Sequence, residues 1–174
     1  GHELLDKGYT SVINVMPLFP LLSAFLGLQK LILCNILLST FSILLVFKLS
    51  MAMLKDSASA ILASLIFSCY PFFVFYSITG LTETVYMFLL LLSFLCFYNE
   101  KSVLGSCVFV LSILVRPSLE RLGPVLVFVF SRFVSQLDLR KCFRNVLVYG
   151  AIYFLMMSPW WIHNYHMYGH FVRL

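Results

Sequence analysis

The sequence predicts an all-α, polytopic transmembrane protein, and three observations support that fold class. Hydrophobic residues make up 61% of the 174 residues and charged residues only 11%, whereas a soluble domain is about one-quarter charged. The mean hydropathy is +0.99. The uncharged run 84–98 leaves a helix without a polar face, which is typical of a membrane span. We expect one transmembrane domain over 1–174, truncated at both ends, since the chain starts without a methionine or a signal peptide.

The predicted elements follow from the lengths of the apolar runs. The polar segment 1–10 is expected outside the hydrocarbon, and Pro17 and Pro20 exclude a regular helix before Pro20. We interpret 12–27 as a loop that leads into a short helix at the membrane face. Beyond it, spans are expected over about 31–54, 59–78, 82–98 and 143–161. Pro71, in the sequence Tyr70-Pro71, predicts a kink in the second span.

Between 103 and 134 the apolar runs are too short to cross a bilayer. The run 103–115 would measure about 20 Å as a helix, against about 30 Å of hydrocarbon. Arg116, Glu120 and Arg121 follow it. The interval 118–134 is therefore expected to form a short hairpin with 103–115, with a charged elbow between them. Either the arginines extend outward from tilted helices or the elbow lines a wet pocket, and the density of charge favours the pocket.

The basic residues are distributed in the way that sets membrane topology. The side that we interpret as cytoplasmic has Lys48, Lys55, Lys101, Arg132, Arg140, Lys141 and Arg144. The other side collects Glu3, Asp6, Glu83, Arg116, Glu120, Arg121 and all four histidines, with Lys7, Lys30 and Arg173 as exceptions to the basic bias. The net charge of +5 therefore reflects topology and does not indicate nucleic-acid binding. We expect a multi-pass integral membrane protein in contact with membrane lipids, in a bacterial inner membrane rather than the endoplasmic reticulum.

Several enzyme classes have no support in the sequence. It contains no glycine-rich phosphate loop, no HExxH and no GxSxG, which argues against NTPases, zincins and α/β-hydrolases. The five cysteines lie mostly within apolar runs and form no CxxC pair, so they are interpreted as lipid-facing or core residues. The three histidines of 163–170 are more typical of interfacial polar residues than of metal ligands.

The groups on the non-cytoplasmic side suit a phosphate-bearing substrate. Arg116 and Arg121 can bind phosphate with a planar guanidinium group that stays charged. Glu83 can act as a general base or bind a divalent cation. It can also simply be stabilised by the dipole of the helix that it opens. A divalent metal ion therefore stays an open alternative, and no metal site is assigned.

Five short motifs occur in order along nearly the whole chain: Pro17-Leu-Phe-Pro20-Leu-Leu, Tyr70-Pro71, Leu81-Thr-Glu83-Thr, Leu114-Val-Arg116-Pro117 and Pro159-Trp160-Trp-Ile-His163-Asn164-Tyr165-x-x-Tyr168-Gly169. The ordered set resembles the membrane glycosyltransferases of the dolichyl-phosphate-mannose protein mannosyltransferase type (family 39-like). This GT-C grouping also holds the bacterial aminoarabinose and lipopolysaccharide-core sugar transferases. Each motif alone is weak, and the specificity lies in their order.

The resemblance implies a partial GT-C membrane domain that moves a sugar from a polyprenyl-phosphate donor to a lipid, protein or glycan acceptor. The active face would be periplasmic or lumenal. Glu83 would be the acid that opens the third span, and Arg116 would lie near the lipid phosphate. Pro159-Trp160 and Asn164-Tyr165 would close the last helix at the same face. The expected catalytic residue is Glu83, and the expected substrate-binding residues are Arg116, Arg121, Glu120, His163, Asn164 and Tyr165.

Two departures from the family pattern leave alternatives open. The family usually has arginine at the position of His163, and its catalytic carboxylate precedes the Pro-x-x-Pro segment, where this chain has only Glu3 and Asp6. The main base is therefore expected upstream of Gly1. One alternative is a transporter or flippase, for which the sequence offers one broken helix pair at 116–121 and no counterpart. Another is a non-catalytic remnant of the GT-C fold.

Overall fold

The computed structural model describes residues 16–168, and all the regular elements in that range are helices. The all-α prediction is confirmed there, with no strand between 16 and 168. The expectations for the polar segment 1–10, and for Gly169, His170 and Arg173, lie outside the described residues. The α-helices of the described range are α1 (Leu18–Leu54), α2 (Ser57–Ser68), α3 (Pro71–Thr79), α4 (Thr82–Tyr98), α5 (Ser102–Val115), α6 (Gly123–Val129) and α7 (Leu139–Tyr168).

Two shorter turns flank α6, and the first of them lies in the elbow that the sequence predicts. A 3-10 turn, Pro117–Leu119, lies between α5 and α6, and a π-helical turn, Phe130–Val134, follows α6. By length and composition, α1 and α7 can each cross a membrane. The pair α2–α3, bent by 53°, makes a third such element if it is counted as one span.

The first helix begins earlier than predicted and is broken at a glycine. Pro17 precedes it and Pro20 lies in its first turn, where the missing N–H has no partner inside the helix. This is why Pro20 does not delay the helix. Gly27 has φ 71° and ψ 163°, a conformation that is open essentially to glycine alone. The segment 18–26 is therefore a short helix of its own, as expected, and it leads into the long helix 28–54.

A proline and a glycine bound the helix before α4. Pro71 is the first residue of α3, where it costs no hydrogen bond, so the predicted kink is a full break between α2 and α3. Gly80 ends α3 in the left-handed conformation with φ 68°. The carbonyl of Leu81, the next residue, accepts a hydrogen bond of 3.0 Å from Nδ2 of Asn35. Because Asn35 is fully buried in α1, this bond fixes the start of α4.

The last helix continues past its predicted end. It runs through Pro159 to Tyr168, whereas the resemblance implied that Pro159-Trp160 and Asn164-Tyr165 close it. A proline cannot donate a hydrogen bond to the carbonyl four residues earlier, which here is that of Leu155. The Ser158 hydroxyl donates to this carbonyl at 3.0 Å and takes over that role. The expected closure at Pro159 is therefore wrong.

The hydrophobic core lies where α4, α5, α6 and α7 meet. Phe94 stacks on Phe130 with ring centroids 4.8 Å apart, and Phe109 meets Tyr149 edge-on at 5.4 Å. Phe97, Phe109 and Tyr149 are almost fully buried. By contrast, the outer surfaces of α1 to α3 expose many large apolar side chains. This packing holds the elbow between α5 and α6 against α7.

The helix connections gather at two ends of the bundle. The Arg116 end comprises 80–83 and 116–123, and the Lys55 end comprises 52–56, 98–102 and 133–141. At the Lys55 end the Tyr98 hydroxyl donates to the Ala52 carbonyl at 3.4 Å, and Lys141 pairs with Glu100 at 3.3 Å. Five of the basic residues that were predicted on the cytoplasmic side lie within or beside this end: Lys55, Lys101, Arg132, Arg140 and Lys141.

Candidate functional site

Glu83 and Arg116, which come from two separate motifs, form one ion pair at the Arg116 end. Nη1 of Arg116 donates to Oε1 of Glu83, and Nε of Arg116 donates to the Ser118 hydroxyl at 3.0 Å. The Thr82 hydroxyl donates to Oε2 of Glu83 at 3.1 Å. Both carboxylate oxygens therefore accept hydrogen bonds, and the guanidinium is held in one orientation by its two partners.

The pair lies in the wall of a cavity of about 450 Å³. The cavity is enclosed by the break between α2 and α3, by the first turns of α4 and by the elbow. Rings supply most of its remaining wall, from Phe67, Tyr70, Phe73, Tyr76 and Tyr86. The side chains of Arg116 and Glu83 are 43% and 25% exposed, so a ligand can reach the pair.

This arrangement suits an amphiphilic ligand with an anionic group. Aromatic and apolar walls favour a hydrocarbon portion, because its burial removes apolar surface from water. The Arg116 guanidinium stays charged in partly desolvated surroundings and can bind carboxylate or phosphate through two N–H groups. Glu83 already occupies part of that guanidinium. An incoming anion must therefore share Arg116 with Glu83 or displace it.

The other two predicted residues of the elbow have different surroundings. Glu120 accepts a hydrogen bond from the Tyr153 hydroxyl, which ties the elbow to α7. Arg121 is exposed at the end of the elbow and is not among the residues that line the aromatic cavity. Of the charged elbow residues, Arg116 alone contributes to that cavity wall.

The predicted residues of α7 lie elsewhere. His163 lines a second cavity, of about 380 Å³, together with Pro17, Leu114 and Trp160. Its ring stacks on Trp160 with the centroids 5.7 Å apart. Asn164 is 2% exposed, and its Nδ2 has no hydrogen-bond partner within the described part of the chain. Tyr165 is half exposed. The structure thus unites Glu83 with Arg116 but separates this group of α7 residues from them.

The described part of the chain brings no metal-binding cluster to Glu83. No group of three histidine, cysteine, aspartate or glutamate side chains comes together between residues 16 and 166. Glu83 is a single carboxylate whose nearest charged partner is cationic. A metal ion at this point would meet the repulsion of the Arg116 guanidinium.

The aromatic wall was not predicted as part of the site. Tyr70 was noted for the kink that Pro71 introduces, and Tyr76 and Tyr86 were not singled out. A signal was present, because aromatic residues are dense around the proline break, at Phe67, Tyr70, Phe72, Phe73, Phe75 and Tyr76. The bond between Glu120 and Tyr153 had no such signal, since the two residues lie 33 positions apart.

The aromatic cavity is thus a candidate site in which two of the predicted residues, Glu83 and Arg116, come together. No known protein family, curated protein or solved structure matches this chain. Any assignment of function to this site therefore depends on the geometry of the cavity and on the motif resemblance.

Proposed function

We propose that the chain is part of a multi-pass membrane glycosyltransferase of the GT-C type that takes its sugar from a polyprenyl-phosphate donor. The observation that carries the proposal is the position of Arg116, in the wall of a largely aromatic cavity. A polyprenyl phosphate joins an apolar chain to an anionic group. The rings would contact the isoprenoid part, and Arg116 would bind the phosphate.

In this proposal Glu83 regulates access to Arg116 and helps to orient the reacting groups. Donor phosphate replaces the carboxylate on part of the guanidinium, which frees Glu83 to accept a hydrogen bond from the acceptor hydroxyl or from a neighbouring segment. The resemblance assigns the main base to an acidic loop of another segment. The acceptor oxygen attacks the anomeric carbon and gives its proton to that base. The anomeric carbon–oxygen bond to the phosphate breaks, and the phosphate oxygen that leaves keeps the bonding electrons beside Arg116.

The proposed location is the bacterial inner membrane, with the Arg116 end on the periplasmic face. The apolar lengths of α1, α7 and the bent pair α2–α3 support a membrane location. The gathering of basic residues at the Lys55 end supports the orientation, because such residues are enriched on the cytoplasmic side.

The test is donor dependence in the complete enzyme, reconstituted with a polyprenyl-phosphate sugar. We expect Arg116→Ala to raise the donor KM at least about tenfold, because a charge-assisted contact with phosphate is lost. Arg132→Ala is the matched control, since Arg132 is exposed beside the Lys55 end and lines no part of the aromatic cavity. An unchanged donor KM in Arg116→Ala would contradict the proposal.

A transporter or flippase is the second candidate, and one observation favours it. The sequence suggested a single broken helix pair at 116–121, but the chain also breaks between α2 and α3, and both breaks border the aromatic cavity. Broken helices that meet at a site are typical of secondary transporters. The two candidates differ in product. A transferase releases polyprenyl phosphate and a glycosylated acceptor, whereas a transporter delivers its lipid substrate intact to the other leaflet.

A further inference from the structure

A polar cavity of about 320 Å³ lies at the Lys55 end, at the far side of the bundle from the ion pair of Glu83 and Arg116. It is formed by the last turn of α1, the end of α4 and the π-helical turn after α6. Four polar side chains line it, those of Lys55, Tyr98, Ser135 and Gln136. A cation and three neutral groups that can donate hydrogen bonds make a suitable environment for an anion.

The backbone at two of these positions has an unusual conformation. Lys55 has φ 54° and Gln136 has φ 52°, in the left-handed region that favours glycine. Lys55 ends α1 there, and its N–H donates to the Met51 carbonyl at 3.0 Å. Lys55 and Gln136 thus line the same cavity, and each has a backbone conformation that favours glycine. Strained backbone of this kind is often found at binding sites.

Within the described range, the polar side chains of this cavity make few contacts with the protein, and those contacts are weak. Lys55 forms no salt bridge with any described residue. The adjacent carboxylate of Asp56 caps α2, accepting from the Ser59 N–H at 2.8 Å and from the Ser59 hydroxyl. The hydroxyls of Tyr98 and Ser135 make only long contacts, 3.4 Å each, with backbone carbonyls. These contacts are weak enough to be exchanged for an anion.

The rim of the cavity is apolar and faces outward. Met53 and Phe133 line the cavity and are 54% and 73% exposed. Polar and charged side chains beside exposed apolar ones fit an amphiphile better than a free anion. Basic pockets between helices on the cytoplasmic side of membrane proteins bind lipid headgroups in this way.

We propose that this cavity binds the phosphate group of an anionic glycerophospholipid, with the ammonium of Lys55 and the amide of Gln136 as its ligands. Met53 and Phe133 then lie beside the acyl chains. A free phosphate monoester shares the same headgroup chemistry, and the rim distinguishes the two sources. The inference goes beyond sugar transfer and depends on the proposed function only for the location of the chain in a membrane.

The experiment measures lipid retention by the complete protein, purified from bilayers that contain equal amounts of phosphatidylglycerol and phosphatidylcholine. Bound lipids are counted by native mass spectrometry. The variant is Lys55→Gly, which removes the ammonium but suits the left-handed backbone, so the midpoint of thermal unfolding should not fall. We expect bound phosphatidylglycerol to fall about tenfold, the usual effect of losing one charge-assisted contact. Unchanged retention would overturn the proposal.

The matched control is Lys48→Gln, which removes an exposed positive charge from the same helix outside the cavity. An equal loss of phosphatidylglycerol in both variants would overturn the site, because it would show only general surface attraction. Glycerol 3-phosphate is the soluble probe. Its failure to displace bound phosphatidylglycerol supports the lipid assignment, and displacement at equal concentration overturns it. The readout is lipid binding, so its result is independent of any transferase assay.

Discussion

The two ends of the bundle both present basic side chains, but in different surroundings. At the Arg116 end the guanidinium is paired with Glu83 in the wall of an aromatic cavity. At the Lys55 end most basic side chains are exposed, and Lys141 pairs with Glu100. The Arg116 and Lys141 side chains are similarly exposed, at 43% and 45%, but Glu83 is 25% exposed and Glu100 58%. A cation held by a half-buried carboxylate in a cavity wall accepts only an anion that can compete with that carboxylate, whereas a cation on an open surface attracts any anionic surface. We therefore expect selectivity at the Arg116 end and general affinity at the Lys55 end, apart from the cavity at Lys55.

The largest expected effect concerns how tightly each end is packed. A Cβ atom on Gly123 would lie 2.1 Å from the Tyr149 hydroxyl oxygen, whereas one on Gly105, near the Lys55 end, would lie 3.0 Å from the Phe97 ring. Tyr149 is 2% exposed and cannot easily move. We expect Gly123→Ala to lower the free energy of unfolding by about 3 kcal/mol. Gly105→Ala should lower it by less, about 1 kcal/mol, because the buried Phe97 ring has to shift by only a few tenths of an ångström.

Thermal unfolding in detergent measures both variants. The double variant Gly123→Ala with Tyr149→Phe removes the nearest clashing atom and should recover part of the loss. Equal midpoints for Gly123→Ala and Gly105→Ala would show that the elbow is no more tightly held than the other end.

Breaking either ion pair should lower the free energy of unfolding less than Gly123→Ala does. Breaking the Glu83–Arg116 pair should nevertheless have a large effect on activity. Glu83→Gln should change the free energy of unfolding by less than about 1 kcal/mol, because the pair is partly exposed. Its turnover should nevertheless fall about tenfold or more, since Glu83 orients the reacting groups in the proposed function. Lys141→Gln, which breaks the exposed pair with Glu100, should change neither quantity measurably.

Steady-state kinetics on the complete enzyme, together with thermal unfolding, separates these outcomes. A wild-type turnover for Glu83→Gln would remove Glu83 from the site. A matching fall in turnover for Lys141→Gln would show that the two ends are not functionally distinct.

The smallest effect is a pH dependence at the Lys55 end. Hydrogen bonds from the Ser59 hydroxyl and the Ser59 N–H lower the pKa of Asp56 from its ordinary value. The carboxylate therefore stabilises the fold above its unfolded-state pKa of about 3.9, and this contribution is lost as the pH falls through the lower pKa of the folded state. Asp56→Asn keeps a cap without a titrating group, so its unfolding midpoint should depend less on pH below about 4. The same acid dependence in both proteins would contradict this assignment.

Local signals in the sequence determined which helices could be predicted well. The bounds of α4 are marked by Gly80 before it and Asn99 after it, and the predicted span 82–98 coincides with the helix. The elbow was predicted from the shortness of the apolar run 103–115. In each case the residues that decide the element lie within it or next to it.

Predictions failed where a distant or unexpected partner decides the outcome. Pro159 normally ends a helix, but the Ser158 hydroxyl satisfies the freed carbonyl of Leu155. In the candidate site, the motifs indicated Glu83 and Arg116 separately, and the fold brought them together. The orientation of Glu120 toward Tyr153 depends on tertiary packing between the elbow and α7. The sequence alone contains no local signal for such a contact.

The break at Gly27 also determines which bilayer thickness α1 matches. An unbroken helix of 37 residues would measure about 55 Å, far more than the roughly 30 Å of a typical hydrocarbon core. With the break, the part from 28 to 54 measures about 40 Å, a mismatch that tilting can absorb. Moving this glycine one turn toward the centre would shorten the crossing part by about 5 Å. The position of Gly27 therefore sets the hydrocarbon thickness that the crossing part of α1 would match with the least distortion of the bilayer.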